Sequence, residues 1–328
     1  MEFGDVPLDA AEGAILAHSQ PTREGRLRKG RPLDADDIAM LRGEGYDSVV
    51  VARPGPDDLG EDEAAGRLAR AIAPDAAKAG LRLTEASTGR VNLYATRNGI
   101  LRLDRDRIEA LNRRDPMITL ATLADHARCA PGTLVATIKI ISYAVPRQAV
   151  EAGAETVCGA IRIAPVLLQD AGLVMTDMGR GAGKGEAAIA LRLDRLGMSL
   201  ARTMIVPHAP EAIAAALREL PGDLALILTA SATSDIADVA PSAVRMADGR
   251  VEHFGMPVDP GHLLFTGRQG SRYVIGLPGC ARSPSLNGAD WVLERIACGM
   301  PPGAADFASM GMGGLLKEIP ARPHPREG

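Results

Sequence analysis

The segment LALILTASATSDIAD, residues 224–238, decides how this chain is read. Its first five residues are apolar without any polar alternation, the pattern of a strand buried on both faces of a parallel sheet. In open parallel sheets, ligands bind outside the carboxyl ends of the strands, so residues 229–238 are expected at the mouth of a crevice.

This loop carries the hydroxyls of Thr229, Ser231, Thr233 and Ser234 and the carboxylates of Asp235 and Asp238, with small residues between them. Hydroxyls and free backbone amides suit phosphate oxygens, and two acids three residues apart suit a hard cation such as Mg2+. The same residues also suit a capping loop, with Ser234 or Asp235 as N-cap of a helix starting near Ile236 and Asp238 favouring its dipole.

Outward from this segment lie PVDPGHLLF, residues 257–265, and YVIGLPGCARSP, residues 273–284. In that order the three stretches resemble the molybdopterin-binding domain of molybdopterin molybdotransferases and adenylyltransferases. That family carries TGG-x-S-x-G-x-x-D after a buried strand, then a PGKP-like turn, then GLPGNP-x-S. Thr229, Thr233 and Asp238 take the threonine, serine and aspartate places. Pro260 and Gly261 match the turn, and Gly276, Leu277, Pro278, Gly279 and Ser283 match the last motif. The chain departs from the pattern at Ala230, Ser231 and Asp235, which replace glycines, at His262, which replaces the lysine, and at Cys280 and Ala281, which replace asparagine and proline.

Upstream, GLVMTDMGRGAGKGE leads from a strand through a glycine-rich basic loop into a helix expected from Glu186, with Ile189, Leu193 and Leu196 on one face and Gly197 at its end. It is not a P-loop, because Met178 and Gly185 stand where glycine and serine or threonine are needed. An anion site at the helix start, involving Gly181 and Lys184, and a plain surface loop are both open readings. In the resemblance this is the first strand–loop–helix of the domain, where Thr176 matches and Asp177 replaces a glycine. ARTMIVP is a further strand, and Pro210 opens a helix carrying Ile213 and Leu217.

In the first half, Asp34 is a plausible N-cap for a helix bearing Ile38 and Leu41 and ending at Gly45, and SVVVA is a strand. A helix is expected from Glu61 to Ala73, then short strands with a helix near Ile108, and TLVATIKIISYAV is the longest strand candidate. Thr88, Gly89, Arg90 and Asn92 form a cluster that reads either as donors for a phosphate or pterin edge or as a tight turn.

The fold expected is α/β. A C-terminal three-layer domain with a mostly parallel sheet (151–300) follows an α+β domain (1–150), with an extended tail (301–328) in which LLKEI could dock. With 46% hydrophobic residues and 328 in all, the chain can fill two cores. A formal net charge of -4 gives no basic footprint for nucleic acid, and a single tryptophan with four tyrosines offers no stacking platform. No apolar run approaches the roughly 18 residues of a membrane span, no N-terminal export pattern stands out, and a cytoplasmic protein is expected. The four cysteines are dispersed without a C-x-x-C pair, and Cys280 is read as a small half-buried residue rather than a reactive thiol.

The resemblance implies a role in molybdenum cofactor biosynthesis. Molybdopterin or adenylylated molybdopterin would bind across Gly181, Lys184, Thr229, Ser231, Thr233, Ser234, Pro278, Gly279 and Ser283, with Asp238 and Asp235 holding Mg2+ while molybdate displaces AMP. A carrier passing the pterin to a molybdenum enzyme or a nucleotidyltransferase is the alternative, and a nucleotide-cleaving relative a third. Relatives of this domain commonly self-associate, so a homo-oligomer is expected.

Overall fold

The computed structural model describes residues 1–23, 25–179 and 184–316, and the chain divides into two units. The first comprises Met1–Thr96 and Leu101–Ile163, and the second Arg97–Ile100 and Ala164–Gly328. The division falls after Ile163, and the segment 146–155 forms most of helix Arg147–Thr156 in the first unit, with Val150 and Gly153 buried.

In the first unit, strand Ser48–Arg53 pairs antiparallel with Glu2–Pro7 on one side and Ile15–Leu16 on the other. Helix Ala35–Gly43 begins at Asp34, whose carboxylate accepts the Asp37 amide at 2.8 Å, and Ile38 and Leu41 pack into a cluster with Leu16, Leu33 and Val51. A second core joins helices Glu61–Ile72, Arg105–Arg114 and Arg147–Thr156 to a four-stranded antiparallel sheet, in which Leu134–Ile140 lies between Ile118–Thr122 and Arg90–Ala95. The Thr88 cluster is a turn at one end of this sheet. Thr88 and Gly89 have φ of 50° and 69°, the Gly89 amide donates to Asp62 Oδ1 at 2.6 Å, and the Thr137 hydroxyl donates to Asn92 Oδ1 at 2.9 Å. A Cβ on Gly89 would meet the Ile140 carbonyl oxygen at 2.7 Å, so glycine is required there by packing as well as by φ.

The second unit is built on a six-stranded mixed sheet in the order Ser199–Pro207, Asp170–Asp177, Leu224–Leu228, Arg272–Leu277, Phe265–Gln269, Gly249–Phe254. The first four strands are parallel and the last two antiparallel. The unbroken apolar run of Leu224–Leu228 follows from its central place, where all five residues are buried. Leu224, Leu226 and Leu228 face one apolar cluster with residues of helices Glu186–Asp194 and Gly288–Ala297. Ala225 and Ile227 face another with residues of Pro210–Glu219 and Val239–Met246. Gly276 lies opposite Phe265 in the sheet, and a Cβ there would sit 1.8 Å from the Phe265 ring, so this glycine of the GLPG motif serves packing.

The segment after Pro301 is ordered rather than extended as far as it is described. Helix Ala304–Ser309 buries Phe307, which stacks on His253 at 3.8 Å, and Asp306 pairs with Arg295 at 2.7 Å. The Leu316 amide donates to the Asp259 carbonyl at 2.9 Å, so the start of LLKEI docks, while residues 317–328 lie outside the described part. Among the described residues no helix is long and apolar enough to cross a membrane.

Candidate functional site

The carboxyl ends of the parallel strands carry Thr176–Asp177, His208, the loop 229–238 and the loop beginning at Pro278, all in the second unit. Three of these meet through hydrogen bonds. The Ala230 amide donates to Thr176 Oγ1 at 2.7 Å, and that hydroxyl lies 3.0 Å from His208 Nδ1.

Within the loop 229–238 the short polar side chains mostly hold the loop itself. The Thr229 hydroxyl donates to the Ser231 carbonyl at 2.6 Å and lies 3.5 Å from the Thr233 hydroxyl, and both threonines are buried. Asp238 is the N-cap of helix Val239–Met246, which begins three residues later than Ile236. Both its oxygens accept amides, Oδ2 from Ser234 at 2.9 Å and Oδ1 from Val239 at 2.7 Å. These two bonds, Ser234 first, hold its carboxyl below the usual range against the opposing effect of burial. Asp235 accepts the Ala237 amide at 2.7 Å and is exposed, as are Ser231 and Ser234.

The loop 278–285 is held differently. Pro278 is buried and its carbonyl accepts the Ala281 amide, starting the 3-10 turn Gly279–Arg282. Gly279 is exposed and a Cβ there would meet nothing within 4 Å. Ser283 is exposed, and its hydroxyl is paired with that of Ser285 at 3.1 Å. Cys280 is exposed, not half-buried, because it sits on the outer side of the turn, where its sulfur accepts from Asn287 Nδ2 at 3.0 Å. The Pro260–Gly261 turn packs on the next helix start: the Gly288 amide donates to the Pro260 carbonyl at 2.8 Å, and a Cβ on Gly261 would meet Gly288 Cα at 3.0 Å.

Arg282 ties the two loops together by donating from Nη2 to the Thr229 carbonyl at 2.9 Å, and burial holds its guanidinium below its ordinary value. It also lines a cavity of about 690 Å3 with Lys184, Gly185, Glu186, Ala187, Ala188, Leu191 and Pro284. Lys184 therefore stands at this cavity, at the start of helix Glu186–Asp194, whereas Gly181 lies outside the described residues. Gly185 is the helix N-cap and has no side chain to offer the first-turn amides, and a Cβ there would strike Leu228 at 2.6 Å and Arg282 at 3.2 Å. A cation pair at a helix start without a side-chain cap, beside a partly apolar wall, suits an anionic ligand with an organic body.

The donor set fits Mg2+ only in part. Among the described residues there is no group of three or more His, Cys, Asp or Glu able to hold a metal. Two carboxylates already accepting amides keep lone pairs for a cation that takes its other ligands from water and phosphate. Three residues with roles here escape the motif reading. Arg282 occupies the unspecified position of the last motif, and His208 follows a parallel strand, which is the rule that placed Thr229. Arg192 sits among Ile189, Leu193 and Leu196 on the buried face of its helix, where a charge is the signal.

A family model described as Domain of unknown function (DUF8806) matches residues 5–53. No curated protein matches the chain significantly. Solved structures similar to it include a molybdopterin biosynthesis MoeA protein from Pyrococcus horikosii, at 13% identity and a TM-score of 0.32, covering 92% of this chain and 76% of that one. A molybdenum cofactor biosynthesis protein from Pyrococcus furiosus is similar at 11% identity and a TM-score of 0.27, with 92% and 66% covered. Likeness of this degree leaves function to be argued from the site itself.

Proposed function

We propose that the chain binds molybdopterin, or its adenylylated form, in molybdenum cofactor biosynthesis. The observation that carries this reading is that Arg282, inside the GLPG-type loop, bonds the Thr229 carbonyl of the TGG-type loop and lines the same cavity as Lys184 and the helix start at Gly185. Lys184, Arg282 and the first-turn amides would hold phosphate. Ser231, Ser234 and the open backbone at Gly279 would meet the ligand's polar edge, while Ala188, Leu191 and Pro284 would cover its body. Buried Thr229, Thr233 and Pro278 would shape the loops from behind, and exposed Ser283 would meet the ligand at its edge.

Two modes of action fit this pocket. In a transferase, Asp238 and Asp235 would hold Mg2+, which would neutralise charge on the phosphate of the departing AMP. In a carrier, the same pocket retains the pterin for a molybdenum enzyme or a nucleotidyltransferase. The carrier is favoured by one observation, that both Asp238 oxygens already accept backbone amides as a helix cap. Incubation with adenylylated molybdopterin, Mg2+ and molybdate separates the two. The carrier reading expects pterin retained without AMP, the transferase reading expects molybdate-dependent AMP, and neither retention nor release would sink the proposal.

A further inference from the structure

Arg192 is the most fully enclosed cation near the cavity, with 2% of its side chain exposed. Burial of a charge is strongly unfavourable unless every donor is satisfied. Here Nε donates to Asp290 Oδ1 at 2.6 Å, Nη1 to the carbonyls of Ala188 at 3.1 Å and Ala281 at 2.9 Å, and Nη2 to those of Ser283 at 2.8 Å and Ser285 at 3.0 Å. All five N–H groups of a guanidinium are thereby used, a set that lysine cannot reproduce.

The carbonyl partners belong to the two segments that line one cavity, while Asp290 anchors Arg192 from helix Gly288–Ala297. Ala188 and Leu191 lie on the helix that carries Arg192, and Arg282 and Pro284 lie on the segment whose carbonyls Arg192 holds. The chain of bonds continues outward. Asp290 Oδ2 accepts the Asn287 amide at 2.8 Å, and the Asn287 side-chain amide donates to Cys280 Sγ at 3.0 Å, at the exposed end of the same loop.

We propose that Arg192 is the positioning residue of this pocket, fixing segment 281–285, and with it Arg282, against the helix wall before a ligand arrives. The inference rests on the reading of the cavity as the pterin site. Arg192 touches no ligand itself. It acts by removing the disorder that segment 281–285 would otherwise lose on binding.

The test is equilibrium dialysis of the full chain with molybdopterin, alongside the rate at which iodoacetamide alkylates Cys280 relative to the other exposed thiol, Cys158. Expected results are a Kd raised about tenfold to a hundredfold in folded Arg192→Lys, a larger loss in Arg192→Ala with partial return in millimolar guanidinium, and faster Cys280 alkylation in both. Wild-type Kd and alkylation rate in a folded variant would overturn the proposal. Unfolding of every variant, Asp290→Asn included, would overturn it too, by making Arg192 a folding residue only. A wild-type protein that binds no molybdopterin would instead defeat the reading of the cavity, and the altered alkylation rate would then show the loop geometry alone.

Discussion

The loops 229–238 and 278–285 leave the same edge of the same sheet, yet they are fixed by opposite means. The first is held mainly by its own side chains, since Thr229, Asp235 and Asp238 reach groups no more than four residues away, with two long-range ties through Thr176 and Arg282 at its start. The second is held from outside, by a guanidinium about ninety residues earlier in the chain, |i−j| being 89 to Ala281 and 93 to Ser285. A self-capped loop keeps its shape at small cost when one group is lost, whereas a loop hung on one buried charge fails with it.

The comparison is tested most severely at Asp290. Replacement by alanine leaves Arg192 buried without its carboxylate and removes the acceptor of the Asn287 amide, and is expected to destabilise the second unit by about 3–5 kcal/mol. Trp291, the only tryptophan, follows Asp290 on helix Gly288–Ala297 and reports the urea transition of that unit. A loss below about 1 kcal/mol would mean that the loop is held by its own turn and that the contrast is false.

The same contrast explains what the sequence makes legible. The buried run at 224–228, the caps at Asp34 and the helix with Ile189 and Leu193 rest on periodicity and near-neighbour chemistry, which a sequence displays directly. The cap of the next helix was legible only to within a few residues: expected at Ser234 or Asp235, it falls on Asp238, whose carboxylate takes the Ser234 and Val239 amides. Arg192 was not, since its partners are set by tertiary folding and it is one arginine among many. The tail after Pro301 differs from the extended arm its composition suggests for a related reason. Its glycine, methionine and proline suit an extended arm, but one phenylalanine, Phe307, finds His253 and a buried seat that no local pattern announces.

On the self-capped side, Asp238→Ala is expected to cost about 1 kcal/mol, the usual loss of a helix cap, and Asp238→Asn less. The pH dependence follows from the depressed carboxyl. Its contribution is present above the unfolded value of about 3.9 and is lost as pH falls through the lower folded value. Wild type should therefore exceed Asp238→Asn in urea resistance near neutrality and converge on it in acid. If Asp238→Ala also leaves pterin affinity and any AMP release unchanged, the aspartate is a cap alone and the Mg2+ assignment falls.

The smallest effect separates stability from binding within the first loop. Ser231 is exposed, and it is its carbonyl, not its hydroxyl, that accepts from Thr229. Ser231→Ala should then change the unfolding free energy from urea titration by less than about 0.5 kcal/mol, because the loop keeps every bond that shapes it. A hydroxyl that meets the ligand contributes about 0.5–1.5 kcal/mol net, so the same variant should raise the molybdopterin Kd roughly twofold to tenfold. Equal Kd values for wild type and Ser231→Ala would remove this hydroxyl from the site. A changed midpoint with an unchanged Kd would show that the loop leans on Ser231 for its shape, and that the first loop is less self-sufficient than its short-range bonds imply.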